Sequence, residues 1–170
     1  MLSKPAEMIS KYRLLILLSV LLILCGVAAA QAGKVPPFRM VQSDGKVFRA
    51  ENLPFGRPIL IIYFSPDCDD CHRFISELLK QIKDFRDVSI AMITYLPVEN
   101  VSEFVVKNKL KSYSNIYVGT EGNSLFVKNY YKIDQFPFAA LYNKNGDLIK
   151  EYLSREISVN DLSERLKMIL

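Results

Sequence analysis

The sequence predicts an α/β fold, a central mixed β-sheet flanked by helices on both faces, and three observations carry that prediction. Residues 58–64, PILIIYF, form an unbroken apolar run rich in β-branched residues, as expected of a central strand covered on both faces. Phe74, Ile75, Leu78, Leu79, Ile82 and Phe85 then repeat at helical spacing, and a second strand-like run occupies residues 88–94. Strand, helix, strand in that order implies a parallel crossover. Near the end, residues 138–142 and 148–153 flank the turn sequence NKNG, which predicts a hairpin and hence an antiparallel edge.

The other elements follow from the same signals. MVQSDGKVF reads as an N-terminal β-hairpin extension, with Asp44-Gly45 as its turn. Residues 99–108 place Val101, Phe104 and Val105 on one helical face. A short strand is expected at 115–118 and a short helix at 124–131. Asn160 is expected to cap a final helix carrying Leu162, Leu166, Ile169 and Leu170.

The N-terminus has a different character. Lys4, Lys11 and Arg13 precede the apolar stretch 14–25, broken only by Ser19, and small residues follow in AAAQA at 28–32. A basic start, an apolar centre and an A-x-A step form a secretory signal, with cleavage after Ala30 or Ala32. The other reading is an uncleaved membrane anchor, because 14–30 reaches the lower edge of the about 17–25 residues that span a bilayer. The expected organisation is therefore residues 1–32 as signal or anchor, 33–38 as a tether of small residues and prolines, and 39–170 as one domain. That domain is expected to be exported, to the periplasm or another extracytoplasmic space. Lys and Arg number 22 against 18 Asp and Glu, with the two signs interspersed, so nothing points to nucleic acid.

Export changes the meaning of the cysteines. Of three, Cys25 lies in the signal, leaving Cys68 and Cys71 in IIYFSPDCDDCHRF. An oxidising compartment permits a disulfide there. A bridge over two intervening residues closes a very short loop and adds little stability, so the pair is better explained by reactivity. Cys68 ends a predicted strand, and Cys71 falls in the first turn of the helix that follows. Free N–H groups and the positive dipole end at a helix start stabilise a thiolate there, and the thiolate is the attacking species. Cys68 is thus the candidate nucleophile and Cys71 the resolving thiol. Asp69 and Asp70 lie between the sulfurs and oppose the thiolate by like-charge repulsion. That favours the disulfide and biases the couple towards a reductant.

Other chemistries are weighed on the same residues. CDDCH also spells the c-type haem attachment motif, with His72, the sole histidine, as a ligand and Met40, Met92 or Met168 as the sixth. The end of a buried strand is a poor context for it. Two cysteines and one histidine fall short of a four-ligand zinc site, so no metal is expected. No cofactor is needed, since the dithiol carries two electrons itself.

Taken together, PPF…DGKVF, GRPILIIYFSPDCDDC and YYKIDQFPFAALYNKNGDLIKEY resemble the thioredoxin superfamily, and in particular TlpA/ResA-like exported thiol–disulfide oxidoreductases. The resemblance covers roughly residues 36–170. It implies a thioredoxin-like fold in which Pro137 is a cis proline packed against the dithiol and the backbone of Phe136 pairs with a bound substrate strand. It also implies protein dithiol or disulfide substrates and an upstream electron donor. The chain departs from those relatives by Asp67 in place of a tryptophan, Ser76 in place of a helix-kinking proline, and the Asp-Asp dipeptide between the cysteines. A peroxiredoxin would share the fold, but no P-x(3)-T-x(2)-C segment is present. The rival of another class is a non-catalytic thioredoxin-like module that binds a partner.

Overall fold

The computed structural model describes residues 33–170, together with Tyr12, Arg13, Leu15 and Ile16. The signal or anchor reading, its cleavage sites and Cys25 fall almost wholly outside the described residues. The four isolated residues are helical and exposed. Among the described residues no helix is long and apolar enough to cross a membrane. Lys34–Leu170 forms one compact unit.

Seven strands make one sheet: β1 (Arg39–Gln42), β2 (Val47–Arg49), β3 (Ile59–Tyr63), β4 (Ser89–Thr94), β5 (Ile116–Thr120), β6 (Phe138–Tyr142) and β7 (Leu148–Tyr152), in spatial order β2-β1-β5-β4-β3-β6-β7. β3, β4 and β5 are parallel, while β6, β7 and the β1–β2 hairpin are antiparallel additions at the two sides. The apolar run 58–64 becomes β3 between β4 and β6, buried on both faces as its composition requires.

Four helices cover the sheet: α1 (Asp69–Lys80), α2 (Val98–Lys107), α3 (Phe126–Tyr130) and α4 (Val159–Ile169). Alternation along β3 sorts the core. Leu60, Ile62 and Phe64 pack with Phe74, Leu78, Phe104, Leu162 and Leu166 from α1, α2 and α4. Ile61 and Tyr63 pack on the other face with Val127 of α3, Tyr131, Phe138 and the N-terminal residues Phe38 and Met40. The geometry is the predicted α/β arrangement with helices on both faces.

Three local expectations are corrected. The apolar spacing that reaches Phe85 does not make one helix. α1 ends at Lys80 with Gln81 as its C-cap, and a 3-10 turn at Ile82–Phe85 carries Phe85 into the core. The final helix is capped by Ser158, whose hydroxyl accepts from the Asp161 N–H at 3.5 Å. Asn160 lies inside the first turn, and its side-chain oxygen accepts instead from Gln81 Nε2 at 3.0 Å. Residues 34–38 are no tether. The Val35 N–H donates to the Gly146 carbonyl at 3.2 Å, Lys34 pairs with Asp147, and Phe38 is 1% exposed. Burying Phe38 holds this segment against the β6–β7 turn, so the folded unit begins at Lys34.

Candidate active site

The dithiol sits where β3 leaves the sheet. Ser65, Pro66 and Asp67 turn the chain, and Cys68 becomes the N-cap of α1 in extended geometry. Its sulfur accepts from the Cys71 N–H at 3.3 Å, the place a serine or aspartate oxygen takes in an ordinary cap. The helix start presents free N–H groups and the positive end of its dipole to that sulfur. The Cys68 N–H donates to the Ser65 carbonyl at 3.1 Å and the His72 N–H to the Cys68 carbonyl at 3.0 Å. Backbone bonds on both sides thus fix the cysteine.

The two sulfurs have different surroundings. Cys68 is partly exposed, whereas Cys71 is wholly buried, packed with the core face that α1 covers. Burial, reinforced by the neighbouring Cys68 sulfur, pushes the Cys71 thiol far above its ordinary range. Both cysteines are free thiols. Asp69 and Asp70 occupy the exposed first turn. The Asp70 carboxylate is paired with Arg73, and Asp69 has no ion pair among the described residues.

The chain returns to the dithiol 65 residues after Cys71, at the cis peptide bond Phe136-Pro137. Cys68 Sγ donates to the Phe136 carbonyl at 3.8 Å, and Pro137 is buried. Cys68, Cys71, Phe136 and Pro137 are therefore brought together, with Asp69 and Asp70 on the helix rim. A groove of about 350 Å³ runs beside them, lined by Asp70, Arg73, Phe74, Glu77, Pro137, Ser154, Arg155 and Ile157.

Sequence reasoning missed several neighbours. The Ser154 hydroxyl, after β7, donates to the same Phe136 carbonyl at 2.7 Å. The Phe136 ring lies 5.8 Å from that of Tyr63 and 5.9 Å from that of Tyr95, and the Lys128 ammonium is 5.9 Å from its centroid. Glu121, buried at the end of β5, accepts from the Tyr63 hydroxyl at 2.6 Å and the Val127 N–H at 2.7 Å. Burial and that carboxylate push the Tyr63 phenol well above its ordinary range, so it stays a neutral donor. No local pattern marks these residues, which come from β3, α3 and separate loops.

The haem alternative meets a geometric obstacle. Cys71 is sealed in the core, so a thioether there has no path to a porphyrin. His72 lies in the first turn of α1. It is half-buried, with its ring 5.8 Å from Phe104, while Met40 and Met92 are core residues.

No sequence-family model and no curated protein matches the chain. Solved structures do. A thiol-disulfide oxidoreductase from Bacteroides fragilis is 19% identical, spanning 81% of this chain and 99% of that one with a TM-score of 0.66. A secreted disulfide oxidoreductase of Mycobacterium tuberculosis is 19% identical, spanning 78% and 96% with a TM-score of 0.63. Peroxidoxin BcpB from Mycobacterium tuberculosis is 12% identical, spanning 81% and 96% with a TM-score of 0.68. The chain has a thioredoxin-like fold. Because proteins named as peroxidoxin and as oxidoreductase both share it, the fold alone does not select the chemistry.

Proposed function

We propose that this chain is an exported thiol–disulfide oxidoreductase acting on protein substrates, with Cys68 as nucleophile and Cys71 as resolving thiol. The observation that carries the reading is the asymmetry of the pair: Cys68 is reachable and its sulfur caps α1, while Cys71 is buried beneath it. Resolution needs one reactive and one sheltered thiol.

The electrons balance as follows. The Cys68 thiolate attacks one sulfur of a substrate disulfide, forming a mixed disulfide and releasing the other substrate sulfur as a thiolate. Cys71 then loses its proton and attacks Cys68, forming the Cys68–Cys71 disulfide and releasing the second substrate thiol. Two electrons pass to the substrate, and a dithiol donor must return them. The Phe136 backbone is the pairing edge for the substrate strand and Pro137 shapes the groove, as in β-augmentation. Asp69 and Asp70 disfavour the thiolate, favour the disulfide and so bias the couple towards acting as a reductant. The N-terminal basic and apolar segment supports export, and retention of that segment would make it a membrane tether.

Trapping tests the roles. Cys71→Ser is expected to accumulate mixed disulfides with substrates through Cys68, and Cys68→Ser to accumulate none. Equal trapping by both variants would reverse or abolish the assignment. Absence of any trapped species, together with no insulin reduction by the unmodified chain, would leave the partner-binding module as the better reading. In cells producing the full chain, a membrane-impermeant maleimide should label Cys68, and protection until the membrane is breached would contradict export.

A further inference from the structure

We propose that Lys128, seated over the Tyr95–Phe136 ring pair, forms a subsite that selects an acidic side chain in the substrate, about two residues from its reactive cysteine. The proposal deepens the oxidoreductase reading and rests on it. Three elements converge at this point: Tyr95 from the connection after β4, Phe136 beside the dithiol, and Lys128 from α3. The two rings stack with centroids 5.9 Å apart at 27°, and the Lys128 ammonium lies 5.6 Å and 5.9 Å from them. All three side chains are partly exposed.

The ammonium lacks a charge partner among the described residues, since Lys128 makes no ion pair there. The nearby carboxylate, Glu121, is buried and engaged by neutral donors: the Tyr63 hydroxyl and the backbone N–H groups of Val127 and Lys128, the last at 3.3 Å. Those bonds anchor α3 and leave the Lys128 side chain free to meet a ligand. With a cation already on the rings, the ledge presents positive charge to solvent, not an open aromatic face.

Position sets what can reach it. Phe136 supplies both the carbonyl facing Cys68 Sγ and the ring under Lys128. A strand pairing with the Phe136 backbone puts its cysteine at Cys68. Side chains two residues away share that face, about 7 Å along the strand. On the helix side of Cys68 the exposed charges include Asp67, Asp69, Asp70 and Glu77, with Arg73 answering Asp70. The site is therefore polarised, acidic at the helix start and basic over the Phe136 ledge. An acidic substrate residue fits the ledge, and Arg155, exposed in the groove beside Pro137, is the other cation near the dithiol that the Lys128 variant below tells apart from it.

The test uses the full chain and extended nine-residue peptides with a central serine in place of cysteine. Glu, Gln or Lys stands two positions before or two after the centre. Binding is followed by NMR titration at low salt. For one placement, the Glu peptide is expected to bind about fivefold more tightly than the Lys peptide, fading at high salt. Lys128→Glu is expected to invert that order. Equal affinities at both placements, or a Glu preference that survives Lys128→Glu, would overturn the subsite. Because the serine peptides need no thiol chemistry, their binding order decides the subsite on its own. Failure of the matching cysteine disulfides to react would count against the oxidoreductase reading alone.

Discussion

At Cys71, removal from water disfavours the thiolate, and this couples the dithiol to folding. An unfolded chain ionises a cysteine near pH 8.5, roughly its unperturbed value. The folded, reduced protein keeps that proton to much higher pH, because burial holds the Cys71 thiol up. Above about pH 8.5 the unfolded state thus binds fewer protons than the native state, so stability falls as pH rises. Below that pH both states are protonated and the contribution is fully present. Urea midpoints of the reduced protein between about pH 8 and 10 are expected to fall more steeply than those of Cys71→Ser. Parallel curves would show that Cys71 is not sheltered as the structure has it. The placement of Cys68 and Cys71 was legible because a strand end and a helix start are local signals, whereas the packing of Pro137 beside them was implied only by the family resemblance. The sequence carried nothing of Lys128, Tyr95, Glu121 or Ser154. Their meeting depends on how α3 and three loops return to one place beside the dithiol.

Elements were legible where periodicity alone decides them. β3 and β4 are continuous apolar runs, and α2 shows one clear face. Boundaries were less legible, for reasons that lie in competing local interactions. Ile82 and Phe85 continue the apolar spacing of α1 although the backbone has left the helix, since a 3-10 turn can bury the same side chains. Ser158 caps the last helix, two residues before the expected Asn160, whose side chain lies inside the first turn and accepts from Gln81. The attachment of the N-terminal hairpin depends on Gly119. A Cβ there would lie 2.8 Å from both the Val41 carbonyl oxygen and Met40 Cγ, and Gly119 faces Gln42 across the β1–β5 pair. Gly119→Ala forces β1 away from β5, at about 1–3 kcal/mol for overpacking. A melting temperature lower by about 2–12 °C is expected for a domain of this size. An unchanged melting temperature would mean that β1 yields freely.

At the scale of the whole molecule, the question is which way electrons run. The mixed sheet positions a sheltered thiol, a reachable thiol and a proline-bearing strand entry at one end of β3, an arrangement compatible with either direction. The charges around the couple supply the bias. Asp70 is answered by Arg73, whereas Asp69 makes no ion pair among the described residues, so Asp69 is the carboxylate of the two whose charge is left uncompensated by an ion pair. An exposed charge of this kind contributes about 0.5–1 kcal/mol, or roughly 10–20 mV for a two-electron couple. The most direct measurement is the reduction potential of the Cys68–Cys71 couple, in the unmodified chain and in Asp69→Asn. A reversible two-electron couple nearer about −270 mV than −120 mV is expected, with Asp69→Asn higher by about 10–20 mV. A potential near about −120 mV, the value of a strong oxidant, would contradict the reductant assignment, and the absence of any reversible couple would contradict the oxidoreductase itself.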